Sequence, residues 1–290
     1  MNETAFLIKE LFPIKAERDY PLSLITGYGT GGSCDVAVFP KTPAELVFTL
    51  KTLKGKIPFF VIGNGSNVLA SDKGYKGAVI VTSALDKINM NGNLLLCECG
   101  VKMSRIIKEM SDNSFGGLEF ACGIPATVGG AVAMNAGCYN KSVSDAVKYV
   151  ITDGGTFVKK DCGFGYRTSR FLNGETIIKV CFLMDCLEED VIEERLARYK
   201  RLRKNPKGRS CGSVFKNDGF FAGKLIDEAG LKGLREGGAT VSAEHANFII
   251  AENGATSEDV YKLIRKVKKA VYEKKNVKLD EEIVYLGDFD

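Results

Sequence analysis

The chain is 290 residues long, 45% hydrophobic and 26% charged, the composition of a soluble globular protein with one large or two ordinary domains. Its formal net charge of +4 suits anionic ligands without committing the surface to nucleic acid, and no apolar run approaches the roughly 20 residues of a membrane span. Nine cysteines without a C-x-x-C pair and a single histidine, His245, exclude a multi-histidine metal centre and argue against a thiolate zinc site or a disulfide framework, so free thiols in a reducing cytoplasm and no metal are expected.

Met1 to Arg18 scatters Glu3, Lys9, Glu10, Lys15 and Glu17 among its apolar residues and lacks the apolar stretch of a secretory signal. Gly27-Tyr28-Gly29-Thr30-Gly31-Gly32 has the form G-x-G-x-x-G, but it runs into the alternating strand pattern of 34–39 rather than opening a helix. It is therefore read as a loop, not a Rossmann fingerprint. Thr42-Pro43-Ala44-Glu45 supplies a capping hydroxyl, a proline for the first helical position and a capping-box acid. Leu46, Leu50 and Leu53 then share a face, and 58–62 is a short buried strand, which completes a β-α-β unit. Strands are expected at 78–82 and 94–98, and a helix at 102–111 with Met103, Ile106, Ile107 and Met110 inward. The Gly- and Ala-rich stretch 116–140 reads as a buried loop and helix, and 149–158 and 176–186 read as strands.

The composition then shifts. Residues 188–204 are strongly charged and helical, with Val191, Ile192, Leu196, Tyr199 and Leu202 on one face, which puts a domain boundary near residue 188. The remainder is a smaller α+β unit with helices near 221–229 and 256–275. The second helix starts at Thr256 and buries Val260, Leu263, Ile264, Val267 and Val271. Its Lys262, Lys266, Lys268, Lys269, Lys274 and Lys275 read as a solvated face, because no aromatic residues interleave for base stacking.

Two glycine-rich stretches could hold phosphates. Gly63-Asn64-Gly65-Ser66-Asn67 follows a buried strand directly. Glycines there let backbone N–H groups approach an anion while Ser66 and Asn67 add donors; a tight turn between strands explains the same residues. Gly123-Ile124-Pro125-Ala126-Thr127-Val128-Gly129-Gly130-Ala131-Val132 is low in bulk, and no charge appears from Ala121 to Tyr139. It fits either a helix pressed on a neighbour or a backbone cradle beneath a diphosphate and flavin.

These segments, with Gly117-Leu118-Glu119-Phe120, Asn135-Ala136-Gly137, Tyr166-Arg167-x-Ser169, Gly212-Ser213-x-Phe215-x-Asn217, Ala229-Gly230-Leu231-x-Gly233 and His245-Ala246-Asn247-Phe248, stand in an order and spacing that resembles UDP-N-acetylenolpyruvoylglucosamine reductases. The similarity runs from about Leu24 to Gly287, and the length looks like the shorter class of these enzymes. The resemblance implies an α+β fold, with a FAD-binding portion of the vanillyl-alcohol-oxidase/PCMH type in two lobes (1–70 and 71–187) and a C-terminal substrate domain (188–290). It implies non-covalent FAD, NADPH as reductant, a UDP-sugar substrate, a place in peptidoglycan synthesis and a cytoplasmic, monomeric protein.

By the same resemblance Gly63, Asn64, Gly65, Ser66, Asn67, Gly123, Ile124, Thr127, Gly129, Gly130 and Ala131 contact the cofactor. Tyr166, Lys207, Arg209, Lys216 and Asn217 contact the substrate. Arg167 is the cation that stabilises charge developing on the enolpyruvyl carboxylate, Ser213 protonates the resulting enolate on carbon, and Glu282 lies beside the carboxylate, protonated or balanced by Arg167. Asp280-Glu281-Glu282 replaces the acid-proline-acid run of the family, leaving two candidates for the acid, and spacing to Gly287 favours Glu282. Taken singly, Arg167 also suits a structural ion pair, Ser213 a loop hydroxyl bonded to backbone, Glu282 an exposed acid and Arg209 a surface charge. His245 is assigned a structural role, and Cys211 is a bystander.

Overall fold

A computed structural model describes residues 10–11 and 13–289; the reading of the first segment falls partly on residues 1–9 and 12, outside them. The chain forms two compact units. The first comprises Met1–Ala16, Ala37–Asn64 and Val79–Arg203, the second Glu17–Val36, Gly65–Ala78 and Lys204–Asp290. Strands Lys15–Pro21, Ser33–Phe39, Tyr75–Val81 and Phe59–Ile62 form one sheet in that order. The two strands that flank the first helix are thus separated by Tyr75–Val81.

In the first unit, helix α1 (Pro43–Leu53) starts as its residues dictate. The Thr42 hydroxyl accepts from Glu45 N, and Pro43 occupies the first turn. The Glu45 carboxylate reaches Lys41 N at 2.7 Å rather than Thr42 N. A five-stranded antiparallel sheet runs Thr156–Val158, Val147–Thr152, Ile177–Leu183, Leu94–Glu98, Ile88–Asn91. Helix α2 (Met103–Asp112) buries the four expected residues, and α3 (Val128–Ala133) buries Val128, Ala131 and Val132.

Two expectations change here. The single strand expected over 149–158 is a hairpin. Thr152 N donates to Gly155 O at 2.8 Å, Gly154 N donates to the Thr152 hydroxyl at 3.1 Å, and Gly155 takes φ +145°. Asp153-Gly154-Gly155 is the turn chemistry that breaks the run. Helix α4 (Glu189–Leu202) buries only Ile192 of its expected face. Glu189 and Asp190 in its first turn and Lys200 and Arg201 in its last complement the helix dipole, so this surface helix depends less on an apolar stripe.

The second unit pairs Val68–Ala70 in parallel with Val284–Leu286. It adds the antiparallel strands Arg235–Glu236, Ala239–Val241 and Ile249–Ala251 and helices α5 (Ala222–Glu228) and α6 (Ser257–Lys275). Its core joins Leu69, Phe215, Ile226 and Ile249 to the buried face of α6. Helix α6 opens on a full Thr256–Asp259 capping box. The Asp72 carboxylate also accepts from Ser257 N at 3.1 Å and Glu258 N at 2.9 Å, placing negative charge where four helix N–H groups lack partners. Five of the six lysines of α6 pair with acids, Lys262 with Glu258, Lys266 with Glu236, Lys268 with Glu281, Lys269 with Glu273 and Lys275 with Glu228, while Lys274 donates to Ala229 O at 2.7 Å. Among the described residues no helix is long and apolar enough to cross a membrane.

Candidate active site

In the first unit the chain leaves strand Phe59–Ile62 at Gly63, which lies against Thr127. A Cβ on Gly63 would fall 2.1 Å from the Thr127 hydroxyl. Asn64 Nδ2 donates to Pro125 O at 2.8 Å, so 63–64 and 125–127 form one surface. Thr127 is buried, and its Oγ1 has no hydrogen-bond partner in the described residues. An unsatisfied buried hydroxyl costs about 1–3 kcal/mol, so this atom marks where a ligand's polar group can be received. Gly130 is exposed, and a Cβ there would meet only Thr127 Oγ1, at 3.6 Å.

Elsewhere in 123–131 the backbone is committed to packing, one of the two readings that composition leaves open. Val128 N donates to Val101 O and Gly129 N to Cys99 O, both at 2.8 Å. A Cβ on Gly129 would sit 3.0 Å from the Cys99 Cβ, so this glycine permits close packing and its N–H is not open to a phosphate. Ala131 is buried, Ile124 is half-buried with its N–H on Ala121 O, and Gly123 at φ +78° lies beneath the side chain of Arg203. The orphan Thr127 hydroxyl and the bare surface of Gly130 fit a cofactor that approaches backbone closely, whereas Gly63, like Gly129, makes room for a neighbouring side chain.

The Arg167 segment is pinned to the end of α3. The Ser169 hydroxyl donates to Ala133 O at 2.7 Å, and Asn135 Nδ2 donates to Gly165 O at 2.8 Å. Paired backbone bonds between Gly165 and Thr168 close a two-residue turn at Tyr166-Arg167. Arg167 takes φ +51°, a left-handed conformation that costs a non-glycine residue about 1–2 kcal/mol. Its Nη2 donates to Gly137 O at 2.7 Å, and its Cζ lies 5.2 Å from the centroid of the exposed Tyr166 ring.

In the second unit Gly65 takes φ +61°, and a Cβ there would fall 1.9 Å from Ile25 O; no other residue fits. Ser66 is half-buried. Asn67 Nδ2 donates to Glu282 O at 3.0 Å, and Val284 N donates to Asn67 O at 2.9 Å. Glu282 N donates to Val214 O at 2.7 Å, so Asn67, Glu282 and the residue after Ser213 lie in one network. Ser213 and Glu282 are both half-buried. Among the described residues the Ser213 hydroxyl bonds no backbone group, unlike those of Thr42, Ser169 and Thr256. The two acids are distinguishable: Lys268 Nζ donates to Glu281 Oε1 at 2.6 Å, which commits Glu281 to α6.

Of the expected substrate contacts, Lys207 is exposed and Lys216 half-buried. Arg209 donates to Asn253 Oδ1 at 3.1 Å, with its stem over Gly29. Asn217 Oδ1 accepts from Ala222 N at 2.8 Å, so this oxygen caps α5. Burial pushes the Cys211 thiol up to about 12, and it donates to Val68 O at 3.2 Å, an inert position. The residue that sequence reasoning passed over is Asn247, visible only as part of His245-Ala246-Asn247-Phe248. It is buried, and its carboxamide pairs with both backbone groups of Phe215.

His245 lies edge-on to Phe248 and accepts Asn247 N on Nδ1 at 3.3 Å. Burial pulls its pKa below the ordinary histidine value. Desolvation disfavours the cation, so the ring is neutral at pH 7 and Nδ1 stays an acceptor. The chain has one histidine, so an untagged sample should give a single imidazole titration by NMR with its midpoint below about 6.5; a midpoint above that value contradicts the burial argument. Two grooves of the first unit, one lined by Pro43, Val47, Phe48 and Ile151 and the other by Lys54, Asp153, Arg170 and Glu175, contain none of the expected site residues.

Residues 203–286 match the family described as UDP-N-acetylenolpyruvoylglucosamine reductase, C-terminal domain, and residues 34–159 match the family described as FAD binding domain. A UDP-N-acetylenolpyruvoylglucosamine reductase of Caldicellulosiruptor saccharolyticus is 42% identical over 294 residues, covering 97% of this chain and 95% of the relative. One from Clostridium botulinum is 42% identical over 272 residues, 90% of each chain. The crystal structure of UDP-N-acetylenolpyruvylglucosamine reductase from Thermus caldophilus superposes with a TM-score of 0.83 at 34% identity, covering 94% of this chain and all of that one.

Proposed function

The chain belongs to the UDP-N-acetylenolpyruvoylglucosamine reductase family, and from that premise we propose that it reduces the enolpyruvyl ether of the UDP-sugar to the lactyl ether of UDP-N-acetylmuramate, with NADPH as reductant. It is an FAD-dependent oxidoreductase of peptidoglycan synthesis, with the α+β architecture of the PCMH-type flavoproteins and a C-terminal substrate domain. When bound, FAD would supply the hydride chemistry that links NADPH to the methylene carbon of the substrate. In this reading 1–70 and 71–187 carry the cofactor, without a covalent bond, through Gly63 to Asn67 and 123–131, and Thr127 Oγ1 and Gly130 are the groups of the second segment best suited to contact it. Residues 188–290 carry the substrate, with Lys207, Arg209 and Lys216 toward its diphosphate, and Tyr166 and Asn217 beside it.

Hydride addition at the methylene carbon leaves negative charge on the adjacent carbon and its carboxylate. Arg167 is the fixed cation for that charge, its guanidinium oriented by Gly137 O and the Tyr166 ring. Ser213 Oγ gives its proton to the adjacent carbon, which completes the saturated product, and the alkoxide recovers a proton from solvent. Glu282, in protonated form, donates a hydrogen bond to the developing enolate. The observation that carries this assignment is the Ser213 hydroxyl itself: it is half-buried on a gripped segment whose next residue pairs with Glu282 N, and among the described residues it is spent on no backbone group. The protein works as a monomer in the cytoplasm.

The test is optical. Purified protein should be yellow, bleach on anaerobic addition of NADPH and recover its absorbance on addition of the enolpyruvyl UDP-sugar. Bleaching reversed by oxygen but not by the sugar nucleotide identifies an oxidase instead, and a yellow protein that NADPH leaves unchanged identifies a binding protein.

A further inference from the structure

The segment that carries Ser213 has an unusual support. Arg209 bridges to Ala251 and Ser213 to Phe248 in antiparallel sense, so four steps on one strand oppose three on the other. That mismatch is a β-bulge at 210–212, and Ser213 is the first residue to resume pairing. Just before it, Gly212 takes φ +74°, with nothing within 4 Å of where a Cβ would stand. Two residues upstream the buried Cys211 donates to Val68 O at 3.2 Å and anchors the chain; the backbone that adjoins Ser213 directly is held on its downstream side.

There the backbone is gripped from both edges. Glu282 N donates to Val214 O on one edge, and Lys216 N donates to Asp280 O. On the other edge Val214 N donates to Asn247 O at 2.8 Å, Phe215 N donates to Asn247 Oδ1 at 2.9 Å, and Asn247 Nδ2 donates to Phe215 O at 2.8 Å. A single buried residue thus supplies three of the bonds that hold the two residues after Ser213. Its carboxamide offers a donor and an acceptor in the spacing of a peptide group, and so continues the strand pairing where the partner chain turns at His245. An interior amide that misses either partner is left with a buried unsatisfied group, so the Phe215 backbone has one favourable position.

Resting on the reading of Ser213 as proton donor, we infer that Asn247 is a positioning residue for the reaction: its side chain fixes the backbone from which the Ser213 hydroxyl projects. In Asn247→Asp, shape is retained but a carboxylate oxygen opposes Phe215 O, and the segment shifts. A displacement on the order of 1 Å costs about 10²-fold in rate. Anaerobic stopped flow should show bleaching by NADPH within about twofold of wild type and reoxidation by the enolpyruvyl UDP-sugar slowed about 10²-fold at saturating substrate. Deuterium uptake of the 211–217 peptide should rise. Val271→Ala, a core change on α6, controls for general loosening and should not slow reoxidation. If Asn247→Asp does not fold, Asn247→Ser, which leaves room for a bridging water, carries the same comparison. Wild-type reoxidation in the Asn247 variant, or equal slowing in Val271→Ala, overturns the inference. Wild-type reoxidation in Ser213→Ala overturns the donor assignment instead, so the two failures are told apart.

Discussion

Ser213→Ala is expected to leave the bleaching of bound flavin by NADPH at the wild-type rate and to slow its reoxidation by the enolpyruvyl UDP-sugar by about 10²–10⁴-fold, the usual contribution of a positioned general acid. The argument is one of geometry and inventory. A hydroxyl is a weak acid, so it protonates carbon usefully only when a strong base forms next to it in a site that excludes competing water. Ser213 is half-buried, with no backbone acceptor for its hydroxyl among the described residues. The neighbouring thiol of Cys211 cannot substitute, because burial raises its pKa and its proton is directed to Val68 O. Removing one oxygen from a residue that caps nothing should also leave stability unchanged within about 0.5 kcal/mol, the range of substitutions away from structural features. Reoxidation within about tenfold of wild type, below the range for a general acid, removes Ser213 from the chemistry. A large fall in melting temperature shows instead that the hydroxyl supports the fold.

How much of this was legible beforehand depends on whether the signal was local. Helix α1 was readable because Thr42, Pro43 and Glu45 each act within one turn, and α6 because its apolar period and its Thr256–Asp259 box are contiguous. The hairpin at 152–155 is equally local, for Asp153-Gly154-Gly155 is a turn signal set between two runs of β-prone residues. The burial of helix α4 differs from its apolar period because charges at its two ends stabilise a surface helix that sends only Ile192 into the core. The long-range pairings had no local signal. Asp72 on the first turn of α6, Asn67 on the Glu282 backbone and Asn247 on Phe215 join residues separated by 185, 215 and 32 positions. The same holds for the site. Gly63 and Gly65 were marked by composition, whereas the orphan hydroxyl of Thr127 and the commitment of Glu281 to Lys268 needed neighbours that only the fold supplies.

Arg167→Lys tests the cation. The charge is retained, so a purely Coulombic role predicts near-normal turnover, while a role that needs the planar fork predicts a large loss. The second outcome is expected. One guanidinium nitrogen is spent on Gly137 O at 2.7 Å, and the plane lies over the Tyr166 ring. On the proposed reading the same group also aims a further N–H at the substrate carboxylate, which an ammonium with a single nitrogen cannot do from the same anchor. Both residues pay alike for the left-handed backbone at φ +51°, so the substitution isolates the head group from the strain of the turn. Losing one oriented donor to a developing oxyanion costs about 10²–10³ in rate, roughly 2.7–4 kcal/mol. Reoxidation of reduced flavin by the enolpyruvyl UDP-sugar should therefore fall about that far, with the NADPH half-reaction and the melting temperature close to wild type. Full reoxidation in the lysine variant argues that the charge alone suffices. Equal slowing of both half-reactions assigns Arg167 to holding the Gly165–Thr168 turn rather than to the substrate, because hydride delivery from NADPH creates no charge on the enolpyruvyl carboxylate.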